Sequence, residues 1–146
     1  MNSLPEKSLL ADDPYRFKAL YFEIVYFLES CGGVYRRIDR LICARVLYCL
    51  DMDLYYLKRN EDGAIVEFCG FWLICPDDLE AVRQRKQPST TNKGTFLYIV
   101  DHGNKGGNVR DMIKWLRQRC KGGSGVAWRH KGQDFKCFLS QKGDTQ

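Results

Sequence analysis

No run of apolar residues in this 146-residue chain approaches the roughly 20 needed to cross a bilayer. The opening stretch, Met1-Asn2-Ser3-Leu4-Pro5-Glu6-Lys7, lacks the basic and then apolar pattern of a secretory leader. The expectation is a cytoplasmic protein with no membrane span. Histidine is scarce, with only His102 and His130. The seven cysteines are odd in number, and no two form a Cys-x-x-Cys pair. Both facts argue against zinc, and no metal is expected. Most of the thiols sit in apolar runs, so they read as small buried hydrophobes in a reducing compartment. No internal repeat and no low-complexity tract is present, which sets aside solenoids and disordered tails.

What is present suffices for one domain over residues 1–146, with 1–12 as a loose lead-in. Apolar residues make up 45% and aromatics 13%, enough for an independent core. Lys and Arg outnumber Asp and Glu by 23 to 18, a net charge of +5. This suits an acidic partner: nucleic acid, a cofactor phosphate or an acidic carrier protein.

Asp13-Pro14 is a helix start, an N-cap followed by proline at the first helical position. Phe17, Leu20, Tyr21, Ile24, Phe27 and Leu28 recur at helical spacing up to Gly32-Gly33. The pattern predicts a second helix from about Val34 to Leu50, with Arg36, Arg37, Arg40 and Arg45 on its outer side. Residues 54–74 form a hairpin around the Asn60-Glu61-Asp62-Gly63 turn. Pro76-Asp77-Asp78 opens a short helix to about Arg85, and the polar stretch 86–95 is expected to be mobile. Phe96–Val100 reads as a buried strand. Residues 108–120 form an amphipathic helix ended by Gly122-Gly123. Gly125–His130 and Asp134–Leu139 are two last strands around Lys131-Gly132-Gln133. The fold class is α+β: two N-terminal helices, then a mainly antiparallel central sheet with a crossover helix.

The candidate chemistry gathers at one junction. Asp101 ends the run Phe96-Leu97-Tyr98-Ile99-Val100, and His102, Gly103, Asn104, Lys105, Gly106, Gly107 and Asn108 follow before the helix. A glycine-rich turn into a helix can hold an anion on free backbone N–H groups, beside groups able to move a proton. Lys105 and Arg110 would flank a phosphate there. The same residues have plainer explanations. Asp101 can be a turn acid, the glycines can serve the turn alone, and His102 can be an exposed loop residue.

The order of elements resembles the GNAT acyltransferase fold, in which the central strand–loop–helix binds the acyl donor. Residues 53–143 are more narrowly similar to the RTX-toxin-activating lysine acyltransferases. The shared features come in sequence: Gly70-Phe71-Trp72 on a hairpin strand, then Gly94, then Tyr98-Ile99-Val100-Asp101. After these come a glycine loop, the Met112–Arg119 helix, Ala127-Trp128-Arg129 and Lys142-Gly143. The resemblance implies transfer of an acyl group from acyl carrier protein or acyl-CoA to an amine, on a protein substrate's lysine. It implies no tightly bound cofactor, with the donor held by Gly103–Asn108 and Arg110. That family pairs an N-terminal histidine with the strand-end aspartate. Asp101 matches the aspartate, but Tyr15 stands near the histidine's place in Asp13-Pro14-Tyr15-Arg16. His102 or Tyr15 would then shuttle the proton, and Asp101→Ala would abolish transfer while leaving the fold intact.

The alternative is a non-enzymatic binder on the same fold, a viral or mobile-element protein engaging a host protein or nucleic acid. Arg36, Arg37, Arg40 and Arg45, with Tyr35, Tyr48, Trp115 and Trp128 among basic residues, carry that reading. Exposed sheet edges would also permit a homodimer.

Overall fold

A computed structural model describes residues 13–120, 123, 125–130 and 134–139. The 1–12 lead-in, the 131–133 turn and Lys142-Gly143 lie outside the described residues. Helix α1 (Pro14–Cys31) starts where Asp13-Pro14 requires, with the Asp13 carboxylate accepting from the N–H groups of Tyr15 and Arg16. Its Leu20, Ile24, Phe27 and Leu28 are buried, as the spacing predicts.

The second helix starts later than its apolar pattern predicts. Gly32 and Gly33 both take positive φ, and a single 3-10 turn, Gly33–Tyr35, follows. Asp39 then restarts the chain as an N-cap, accepting from the Ile42 N–H, and α2 runs Arg40–Asp51. Arg36 and Arg37 precede this helix, so they share no helical face with Arg40.

Strands β1 (Tyr55–Arg59) and β2 (Ile65–Ile74) make the expected antiparallel hairpin. The Asn60 side chain organises its turn by accepting from the N–H groups of Asp62 and Ala64. A short α3 (Leu79–Arg83) leads into 86–95. This stretch is pinned rather than loose. Leu73 donates to the Thr91 carbonyl, Gly94 donates to the Leu73 carbonyl, and Ser89 bonds the Asp78 carboxylate. A Cβ at Gly94 would overlap the Ile74 backbone, so glycine is needed for this close approach.

Strand β3 is Phe96–Asn104, four residues longer than its apolar run. It pairs antiparallel with β2 from Ile74↔Phe96 to Glu67↔Asn104, with Val100 as an extra residue between Gly70↔Asp101 and Phe71↔Ile99. Helix α4 (Val109–Arg119) crosses over to β4 (Gly125–His130), which lies parallel to β3, and β5 (Asp134–Leu139) pairs antiparallel with β4. The sheet order is β1-β2-β3-β4-β5.

Alternate residues face alternate layers. Tyr55, Leu57 and Phe68 pack with α1 and α2, while Leu54, Tyr56, Cys69, Phe71 and Leu97 pack with Met112, Trp115 and Leu116 of α4. Tyr35 and Trp115 are therefore core residues, not a base-stacking surface. Among the described residues no helix is long and apolar enough to cross a membrane.

Candidate functional site

Strands β3 and β4 are paired only at Phe96↔Gly125, Leu97↔Val126 and Tyr98↔Ala127. Beyond Tyr98 the strands part. A cleft of about 1350 Å³ opens there, bounded by α2 on one side and the first turns of α4 on the other. Its walls are mainly apolar, with Leu41, Tyr48, Trp72, Ile99, Met112 and Trp128 prominent. Arg85 and Lys86 stand at its margin, and Asp101 and His102 line it. A largely apolar hollow with a few converging polar groups is the usual form of a ligand site.

Asp101 lies inside β3, not at its end, and its side chain is 1% exposed. Arg45 grips it with both arms: Nε donates to Oδ2 at 2.9 Å and Nη2 to Oδ1 at 2.9 Å. The Tyr35 hydroxyl donates to Oδ1 at 2.9 Å and accepts from the His102 backbone N–H at 2.9 Å. Burial and the Asp101 charge hold the Tyr35 hydroxyl far above the ordinary phenol pKa. The hydrogen bonds to Asp101 raise the Arg45 pKa in turn. Three donors therefore occupy this carboxylate and fasten the 3-10 turn, α2 and β3 to one another. Sequence reasoning placed Arg45 on the outer side of its helix, but it turns inward to this acid.

Because β3 continues through Asn104, Asp101 and His102 face opposite sides of the sheet. His102 finds a different acid. Its Nε2 lies 2.9 Å from Oε2 of Glu67, a β2 side chain with 0% exposure. The other Glu67 oxygen, Oε1, is buried without a hydrogen-bond partner. Gly107 packs directly over it, and a Cβ there would come within 2.5 Å of Oε1. Glu67 was not among the residues singled out from the sequence, although its position was unusual. It is a charged residue in Ile65-Val66-Glu67-Phe68-Cys69, within a strand covered on both faces.

The glycine loop is shorter than the sequence implies and turns its donors inward. Gly103 and Asn104 belong to β3, leaving residues 105–108 as the connection. The Lys105 N–H donates to the Val66 carbonyl, and the Gly107 N–H to Oδ1 of Asn104. Asn108 caps α4, its side chain accepting from the N–H groups of Arg110 and Asp111. The Lys105 ammonium reaches toward Ser30 of α1 at 3.5 Å, while Arg110 lies with Lys114 and Arg117 on α4. The two cations thus face different neighbours. Tyr15 is 84% exposed at the start of α1. The other end of that helix packs on Gly103, so Tyr15 stands some 16 residues, roughly 24 Å of helix, from the cluster.

The structure thus brings together Asp101, His102 and the two residues that hold them, Arg45 and Glu67, and leaves Tyr15 apart. Among the described residues no group of acids, cysteines and histidines has metal-binding geometry. No protein-family model matches the chain, and no curated protein matches its sequence.

Proposed function

We propose that this protein is a GNAT-like acyltransferase, nearest in kind to the toxin-activating lysine acyltransferases, that moves an acyl group from a thioester donor to an amine. The observation that carries this reading is the parting of β3 from β4 around an apolar cleft lined in part by His102. An acyl chain suits the walls formed by Trp72, Tyr98, Ile99 and Trp128. The edge of β3 beyond Tyr98 has no β4 partner, so an extended amide-bearing arm can lie along it as an added strand. The margin with Arg85 and Lys86 favours a donor phosphate over the inward-turned 105–108 connection. The donor is acyl-CoA or an acyl carrier protein.

The attacking amine must lose a proton, because lysine's unperturbed pKa is about 10.4. Asp101 accepts three hydrogen bonds from Arg45 and Tyr35, so it holds the cleft's frame. His102 takes the proton. The amine nitrogen bonds to the thioester carbonyl carbon, the C–S bond breaks, and the proton gained by His102 passes to the departing thiolate.

The test is thiol release from acetyl-CoA and from an octanoylated acyl carrier protein, with polylysine as acceptor and intact mass as a second readout. Protein-dependent release from either donor, lost in His102→Gln, supports the reading. No release, with no binding of either donor by calorimetry, overturns it. Exposed Arg36, Arg37 and Arg40 favour a second reading, a nucleic-acid binder. That version requires affinity for a DNA or RNA duplex that falls steeply with salt.

A further inference from the structure

We infer that Glu67 is the positioning residue for His102, and that the two act as one proton-transfer pair facing the cleft. This rests on the acyl-transfer reading for its substrate, but the pairing itself is a matter of geometry. Glu67 is a fully buried acid, and its one described hydrogen bond is the 2.9 Å contact to Nε2 of His102. A buried carboxylate with one oxygen unpartnered is costly, and a fold retains such a group when it has a task. Gly107 sets its position from above, since any Cβ there would strike Oε1. His102 is about one-third exposed and is among the residues lining the cleft, while its ring contacts the buried acid. Its backbone is fixed as well, through the bond from its N–H to the Tyr35 hydroxyl.

The chemical consequence follows from the tautomer. With Nε2–H donating to Glu67, the lone pair sits on Nδ1, which becomes the nitrogen that accepts the amine proton. The imidazolium then formed lies against a carboxylate and is stabilised by it, and the proton returns from Nδ1 to the thiolate. Glu67 gains no covalent bond and need not itself be protonated. The other charged and titratable groups near the pair are Tyr56 and Cys69 on the sheet, Asp111 on α4, and Lys58, which stands opposite Glu67 in the β1–β2 register and pairs with Asp111 at 3.7 Å. With Lys58 engaged by Asp111, Glu67 is the acid in direct contact with the imidazole and the one that balances the imidazolium.

Two measurements test the pair without any acyl donor. Proton NMR of histidine-labelled protein should show a slowly exchanging Nε2–H of His102, kept in Glu67→Gln, where an acceptor oxygen persists, and lost in Glu67→Leu. Carbethoxylation of His102 by diethyl pyrocarbonate should be several-fold slower in Glu67→Gln than in the wild type. Where transfer is found, Glu67→Gln should lower kcat roughly tenfold or more with KM unchanged, against roughly 10²–10⁴ for His102→Gln. Absence of the protected imidazole proton in the wild type would overturn the pairing. An unchanged carbethoxylation rate in Glu67→Gln would overturn the part the Glu67 charge plays in the reactivity of His102. If both measurements behave as expected and neither donor is bound or turned over, the acyl-transfer reading fails and the pair stands.

Discussion

The Arg45–Asp101–Tyr35 cluster makes Asp101→Ala a stability variant first. Removing the carboxylate strips Arg45 of both hydrogen bonds from its guanidinium to Asp101 and leaves the buried Tyr35 hydroxyl without its acceptor. Breaking a buried pair by deleting one partner costs about 3–5 kcal/mol. Arg45 is 30% exposed and can recover some hydration, which places the expected loss near the low end, about 3 kcal/mol. Domain stabilities are about 5–15 kcal/mol, so this is a large share. With a urea slope of about 1–3 kcal/mol/M, the unfolding midpoint should fall by roughly 1–3 M. Trp72, Trp115 and Trp128 give the fluorescence signal for the titration. Asp101→Asn should lose less, because an oxygen remains for Tyr35. Combining Asp101→Ala with Arg45→Met should recover part of the loss, since no unpaired cation is then left. A midpoint for Asp101→Ala equal to that of the wild type would refute the role assigned to this cluster. The sequence alone leads to the expectation that this variant keeps the fold intact, whereas the three hydrogen bonds to the carboxylate predict a less stable one.

Tyr35→Phe should cost about 1–2 kcal/mol by the same titration, because it orphans the His102 N–H and one contact to Asp101. Gly103→Ala should destabilise by about 1–3 kcal/mol, since its Cβ would sit 2.8 Å from Leu28 Cδ2 and 2.9 Å from Cys31 Sγ. Stability should also fall in alkali. Burial raises the pKa values of the Tyr35 hydroxyl and of the Cys49 and Cys69 thiols in the folded state. Unfolded thiols and phenols release their protons at about pH 8.5 and 10, so this contribution is complete below about pH 8.5 and is lost progressively above it. The urea midpoint should therefore be lower at about pH 10 than near neutrality, and equal midpoints would contradict the burial of these groups. Cys49 and Cys69, both at 0% exposure, should resist Ellman's reagent until the chain unfolds.

Much of the fold is legible in the sequence because its signals are local. Asp13-Pro14 fixes the start of α1, the 60–63 turn fixes the β1–β2 hairpin, and the apolar spacing of α4 marks its buried face. The failures arise where tertiary pairing overrides local composition. Phe96–Val100 reads as a five-residue strand because Asp101, Gly103 and Asn104 are turn-forming types. Yet β2 spans ten residues, Ile65–Ile74, and its inner edge needs a partner over that whole length. Asp101–Asn104 supply it, and Lys105 adds one more bond to Val66. The length of the neighbouring strand was the available signal. Arg45 was misplaced for a similar reason. Helical periodicity orders residues around an axis, but a long guanidinium stem reaches an acid that periodicity does not see.

That extension of β3 decides which group is left free for chemistry. Had the strand stopped at Val100, a bend would have let Asp101 and His102 meet in one loop. Continued pairing sends them to opposite faces, where each meets a partner from elsewhere in the chain. On the α2 face the acid finds a cation that neutralises it, and three donors hold it in place. On the α4 face the imidazole finds an acid whose second oxygen has no partner. One face is therefore satisfied and rigid, and the other keeps an unspent hydrogen-bonding group beside a titratable ring. A buried ion pair held by three hydrogen bonds secures structure, whereas an incompletely satisfied buried acid against a one-third-exposed imidazole is the arrangement suited to moving protons. The junction around residue 101 thus divides the work between neighbouring positions. Asp101 ties the helices to the strand, and His102, with Glu67 behind it, is the residue through which any reaction in the cleft should be sought.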